Sequence, residues 1–223
     1  MGDFSRGLEV QELSSLPYAK FLRPLDEELE RDGDYTEVHI DNAEFDEVEA
    51  GGSRFSESAI TSVTFTGGSF DRVRLDDVWI SRSRWIGGGW AEADLMNVSI
   101  LDGVLAGVQA YGSQWRRVVV RNCKIDSLNL RGSRLQDVEF RDCDLAEVDF
   151  GQATLAGVTF PGSSIRRARF TKATVKKLDF RGARTLDVAE GWESLRGAVI
   201  DSTQLMESAA ALAQTLGVSV KDR

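Results

Sequence analysis

"DSLNLRGSRLQDVEFRDCDLAEVDF", residues 126–150, places a large apolar side chain at every fifth position: Leu130, Leu135, Phe140, Leu145 and Phe150. Two residues before each stands an apolar or small partner: Leu128, Ser133, Val138, Cys143 and Val148. In an α-helix, residues five apart are rotated by about 140°, so this set would wind around the whole cylinder. In a straight strand the residue two before shares a face, but the residue three after falls on the opposite one. The pattern closes only if the chain turns a corner after each short extended piece. Two inward residues and then a corner, repeated, make a coil whose walls are parallel ladders to the coils above and below. Such a solenoid buries one continuous core.

The period runs far beyond this stretch. From Ile40 to Phe180 every fifth residue is large and apolar except Ala50 and Ala110, with no insertion. Every twentieth residue gives a uniform column: Ile40, Ile60, Ile80, Ile100 and Val120, then Phe140, Phe160 and Phe180. A second column stays small: Ala43, Val63, Ser83, Gly103, Cys123, Cys143, Ser163 and Ala183. Four sides of five residues, a square coil of twenty, fit these columns. Volumes trade between coils as close packing requires, with Trp90 beside Ala110 and "GGG" at 87–89 making room between Trp85 and Trp90. About seven coils at ~4.8 Å per layer make a rod of roughly 34 Å.

Units such as "CDLAE" 143–147, "LNLRG" 128–132, "ADLMN" 93–97, "VDFGQ" 148–152 and "LDFRG" 178–182 resemble the A(D/N)LXX unit of the pentapeptide-repeat family. The resemblance covers about residues 38–183. It implies an all-β solenoid, a right-handed quadrilateral β-helix; the handedness comes from the resemblance alone. Residues 1–37 and 184–223 are off the pattern and read as an N-terminal cap segment and a C-terminal cap. Within the latter, residues 202–216 predict a helix with Leu205, Ala209, Leu212 and Leu216 on one face. Asp201 or Ser202 is its N-cap and Gly217 its stop. That face is expected to cover the open end of the last coil. In quinolone-resistance members of the family a comparable helix joins two rods end to end, so the resemblance implies a homodimer.

Composition narrows the function. The net charge of −9 is concentrated at one end: residues 1–70 hold 16 acidic groups against 5 basic ones. Segment 161–180 is basic, with Arg166, Arg167, Arg169, Lys172, Lys176 and Lys177 against Asp179 alone. An acidic chain is a poor direct ligand for nucleic acid, because phosphate contacts need cations. No run approaches the ~18 apolar residues of a membrane span, and no secretory signal is visible, so a cytoplasmic protein with reduced thiols is expected.

No catalytic constellation is visible. His39 is the only histidine and stands at an outward position, which removes most zinc patterns. Cys123 and Cys143 read as buried filler one coil apart, and outer-wall pairs such as Asp76–Asp77 and Asp142–Asp144 as solvated carboxylates. The glycines at 87–89 lead into no helix-opening lysine and form no phosphate loop. The expectation is a protein without enzymatic activity, cofactor or metal. One surface feature stands out: Trp79, Ile86, Met96, Leu101, Val104, Tyr111 and Val119 occupy outward or corner positions that are mostly polar elsewhere. A contiguous exposed apolar patch marks a contact surface, so these residues are a candidate partner site.

Two functions are expected. The resemblance implies a modulator of DNA gyrase, because relatives with this cap imitate B-form DNA in width and charge. Two features of this chain oppose it: the coils nearest the C-terminal helix are basic, and the unbroken register leaves out the loops some members use. The alternative is a cytoplasmic interaction scaffold with another protein partner.

Overall fold

The structure, a computed structural model, describes residues 12–221. From Asp32 to Gly182 every fifth residue has a positive φ, from +47° at Glu57 to +82° at Gly182. A residue in this left-handed region turns an otherwise extended chain sharply, which is the corner that the period demands. Charged or polar residues and glycine fill these positions, and no β-branched or aromatic side chain does. Crowding of Cβ against the following carbonyl accounts for that choice.

Each turn has four sides. In the first full turn three are the strands Asp34–Thr36, Val38–Asp41 and Glu44–Asp46, and the fourth is a single bridge at Glu49. Each side pairs in parallel with its counterpart twenty residues later. Thr64, Arg84, Val104, Lys124 and Asp144 follow one another in a single ladder. Along Gln114–Arg121 and Arg134–Arg141 the first two sides run on as one continuous strand.

The result is a parallel β-solenoid of about eight turns, against about seven expected. The extra rungs come from chain that is off the period. Arg23 pairs with Val38, a turn shortened to fifteen residues, while Ser164 pairs with Thr185 and Asp179 with Val199.

Inside, the aromatic columns stack rung on rung. Phe140, Phe160 and Phe180 lie 5.3 Å apart and within 12° of parallel, and Phe150 and Phe170 lie 5.0 Å apart. The two columns meet edge to face, as at Phe170–Phe180, where the rings are 84° apart. Each fully buried phenylalanine contributes about 1.5–3 kcal/mol of apolar burial. In earlier turns Phe65 stacks on Trp85 at 4.0 Å, and Trp85 meets Trp90 edge-on at 4.7 Å. Gly68 and Gly88 hold the inward slot that Val48, Val108 and Val148 fill elsewhere. A Cβ on Gly68 would fall 2.3 Å from the Val48 carbonyl oxygen, so the backbone itself has closed into the space that a side chain would need.

The small column does more than fill space. The buried N–H of Val63 donates to Ser83 Oγ at 3.2 Å, that of Gly103 to Cys123 Sγ at 3.3 Å, and that of Cys143 to Ser163 Oγ at 2.9 Å. A small side chain with a lone pair thus satisfies a corner N–H that has no place in the ladder.

Both ends are plugged by off-period residues. At the start Leu25 and Leu29 pack on the core, and the Tyr35 hydroxyl accepts from Glu30 N–H and donates to the Glu28 carbonyl. At the other end Leu195, Trp192, Ala198 and Ile200 close the last turn. The helix Ser202–Thr215 follows, with Asp201 and Gln204 in a reciprocal capping box. Its contact face differs from the expectation. Gln204 and Ser208 are the buried residues of this helix, whereas Leu205 and Leu216 are 50% and 79% exposed, Ala209 is exposed and Leu212 half-buried. The reason is that residues 192–200 already cover the apolar end. What remained open was a set of carbonyls, and Gln204 Nε2 donates to those of Phe180 at 2.7 Å and Ala183 at 3.3 Å.

Candidate interaction surfaces

An outward residue of the rod has water, a neighbouring rung or an off-period segment against it. The second side, which carries His39, Ala59, Trp79, Ser99, Val119 and Glu139, is the one partly overlaid. The 3-10 turns Leu13–Ser15 and Ala19–Phe21 flank Leu16–Tyr18, which lie against Trp79 and Ser99. Tyr18 and Trp79 are each 7% exposed.

The seven residues expected to form an apolar patch are therefore not brought together. Trp79, Leu101 and Val119 are buried on the second side, at 7%, 2% and 4% exposure. Ile86 and Val104 are half-buried on the third side, and Met96 is half-buried on the first. Tyr111 alone is well exposed, at 47%, and it lies on the fourth side. The correction has a geometric cause: the seven residues are spread over all four sides of the turn, and the three that share the second side are buried there. The larger exposed apolar surface is at the C-terminal end, where Leu205, Met206, Leu216, Val218 and Val220 face outward.

Charge separates along the rod more sharply than the sequence implies. In the basic segment Arg166 pairs with Asp144 at 2.8 Å, Arg167 with Glu147 at 3.3 Å, and Arg169 faces Glu190 at 3.9 Å. Arg181 grips Asp179 at 2.7 Å. These cations are offset by carboxylates on the same or adjoining turns. Among the described residues of the acid-rich stretch 26–49, Arg31–Glu49 is the one ion pair. Glu37, Asp41, Glu44, Asp46 and Glu47 have no ion pair with a described cation, whereas four arginines of the basic coils are each beside a carboxylate.

The groups with catalytic potential are each engaged with neighbours. His39 Nε2 and Thr61 Oγ1 are 2.8 Å apart, and the Thr61 hydroxyl donates to Asp41. With its proton directed at a carboxylate, Thr61 accepts from the imidazole rather than surrendering a proton to it, and its residue is 3% exposed. Cys123 and Cys143 are free, buried and one rung apart. The contact with Cys123, together with burial, pushes the Cys143 thiol well above its ordinary range, which disfavours the nucleophilic thiolate. Among the described residues no three His, Cys, Asp or Glu side chains are grouped to hold a metal ion. Among the same residues no helix is long and apolar enough to cross a membrane.

A parallel solenoid with a corner every five residues defines a class of protein, and comparison with known families agrees. Residues 113–189 match the family described as pentapeptide repeat region, and the same register continues unbroken upstream to Ile40. Over those residues the chain is similar to the pentapeptide-repeat family. No match was found among curated proteins. Solved structures to which it is similar include trypsin-treated QnrB1, a plasmid-mediated fluoroquinolone resistance protein, at 15% identity and TM-score 0.37, covering 85% of this chain and 100% of that one. HetL, involved in heterocyst differentiation regulation in the cyanobacterium Nostoc sp. strain PCC 7120, is 14% identical with TM-score 0.30, covering 78% of this chain and 92% of that one. Rfr23 of the cyanobacterium Cyanothece 51142 is 10% identical with TM-score 0.34, covering 58% and 89%.

Proposed function

We propose that this protein is a non-catalytic binding rod whose acidic N-terminal turns engage a cationic protein surface, the DNA-binding surface of DNA gyrase being the partner that the family resemblance implies. The observation that carries the reading is the set of carboxylates Glu37, Asp41, Glu44, Asp46 and Glu47, which share the first full turn and have no ion pair with a described cation. An unpaired anionic turn at the end of the rod raises the encounter rate with a basic groove and is screened by salt. The basic coils, which seemed to oppose such mimicry, oppose it less once their arginines are paired. The proposal includes a cytoplasmic location and no cofactor. A gyrase supercoiling assay with and without a fluoroquinolone tests it. Inhibition or protection at micromolar protein in 50 mM salt, lost at 300 mM, is the expected result; no effect at either salt removes gyrase.

A second reading is supported by the exposed apolar face of the C-terminal helix: self-association, or docking of a different protein partner on a scaffold. Leu205, Met206 and Leu216 leave an apolar strip at the rod's end, and a symmetric homodimer through it would bury that strip. Light scattering is the check, with a particle of about twice the 24.6 kDa chain expected at micromolar concentration and a monomer after Leu205→Glu.

A further inference from the structure

We propose that the cleft between the strand Thr185–Glu190 and the C-terminal helix takes an extended, cationic segment of a partner protein, which adds to the rod as a further strand. The strand Thr185–Glu190 is the last of its eight-stranded sheet, and among the described residues no strand pairs with its outer edge. Such an edge presents a row of backbone N–H and C=O groups to another chain. The cleft has a volume of about 270 Å³. Residues 185–188 line it on one side, and Trp192 with Glu207 and Ala211 of the helix on the other. Along the strand Leu186 and Val188 are buried, while Thr185 and Asp187 are exposed. Successive side chains of a strand point to opposite faces, so a cleft that touches all four residues runs along the edge rather than over a face. Four residues make an edge of roughly 13 Å, the length of a short added strand. This inference rests neither on the acidic N-terminal turn nor on the apolar strip of Leu205 and Met206.

Two observations define the guest. Trp192 Nε1 is buried and has no hydrogen-bond partner among the described residues. A buried indole N–H ordinarily has an acceptor, and a carbonyl of a chain lying in the cleft supplies one. The charged residues of the lining are Asp187 and Glu207, both acidic and facing each other from strand and helix. One Asp187 oxygen accepts from the Arg167 N–H at 3.1 Å, which fixes the carboxylate at the mouth of the cleft, and Glu207 is exposed. An extended chain meets these groups together. Its backbone pairs with the strand edge, its carbonyl takes the indole N–H, and a lysine or arginine reaches the two carboxylates. Main-chain pairing gives such a complex its affinity, and alternate side chains give it specificity. A small cation would satisfy the carboxylates and leave the edge unpaired, whereas an acidic strand would pair with the edge and be repelled by both carboxylates.

The test uses the full chain, 15N-labelled, with the indole N–H of Trp192 and the amides of Leu186 and Val188 as NMR reporters. The probes are acetyl-Thr-Val-Lys-Val-Thr-amide, its glutamate counterpart, the lysine peptide with both valine nitrogens methylated, and acetyl-GVSVKDR, which is residues 217–223 of this chain. Saturable shifts of the reporters are expected with the lysine peptide, at least tenfold weaker with the glutamate and the methylated forms. The double variant Asp187→Asn, Glu207→Gln should weaken the lysine peptide at least tenfold, and Trp192→Phe a few-fold. Glu193→Gln, outside the lining, should leave it unchanged, with melting temperatures of all variants confirming the fold. Absence of saturable shifts at millimolar peptide, equal binding of the methylated or the glutamate peptide, or equal behaviour of the double variant and Glu193→Gln overturns the proposal. Weaker binding of acetyl-GVSVKDR than of the lysine peptide supports a separate partner protein; the reverse order overturns that assignment in favour of the tail of this chain.

Discussion

The turns around Trp85 and the turns around Phe160 occupy the same tube with different materials. From Phe140 to Phe180 each aromatic ring lies on an equal one at 5.0–5.3 Å, and small valine-sized partners complete each layer. Around Trp85 the rings are larger and closer, at 4.0 and 4.7 Å, and the neighbouring inward slot is emptied to glycine at 68 and 88. The ladder has the same register in both regions. Backbone pairing thus sets the frame, and side-chain volume is traded inside it to reach the density that interiors require. The surfaces differ too: ion pairs offset the charges on the later turns, while the acid-rich early turns are largely unpaired.

The largest expected effect breaks the uniform stack. Phe160→Ala should cost about 3–5 kcal/mol, since two rings lose their partner and a rod with contacts only between neighbours cannot collapse around the gap. Denaturant unfolding measures it. Next, two glycines separate packing from backbone conformation. Gly132 has φ +67° and nothing within 4 Å of an added Cβ, so Gly132→Ala should cost about 1 kcal/mol, the left-handed strain alone. Gly68 has φ +74° and the Val48 backbone at 2.3 Å, so Gly68→Ala should add an overpacking cost of about 1–3 kcal/mol. Equal losses at the two sites would mean that the early turns are not crowded. At the C-terminal end, Gln204→Ala should cost about 1–2 kcal/mol by leaving buried carbonyls of the last turn unpaired, and should lower the melting temperature of that end first.

The smallest effects have opposite signs in pH. For Asp179, burial raises the carboxyl, but the side-chain and backbone hydrogen bonds of Arg181 outweigh it and hold the group below its usual range. A lowered folded value means stability that is present above the unfolded pKa and lost as pH falls through the folded one. Asp179→Asn should therefore cost about 0.5 kcal/mol at neutral pH and progressively less in acid. Asp77 is raised instead, so its favourable contribution is complete below the unfolded pKa and lost as pH rises through the folded one. Asp77→Asn should stabilise by about 0.3 kcal/mol at pH 7, screened because the group is largely solvated, with no gain at acid pH. The same sign at both sites would erase the electrostatic contrast between the two halves.

Much of this was legible before any coordinates. Leu130, Leu135 and Phe140 imply a corner every five residues, and the residue that makes it left its own trace. Positions such as Asp77, Asn122 and Arg167 never carry a β-branched side chain, a signal present in the sequence. The surface was less legible. Trp79, Leu101 and Val119 occupy outward slots and read as exposed, yet they are buried.

By itself the sequence determined the turn of twenty, its four sides and the residues of the core, because each of these depends only on a rung and its nearest neighbours. Only the tertiary structure decided what covers the second side, which residues plug the two ends, and that the C-terminal helix rests on Gln204 and Ser208 rather than on its leucines. Those outcomes depend on where off-period chain returns to the rod, and no repeating pattern encodes the path of a segment outside the repeat.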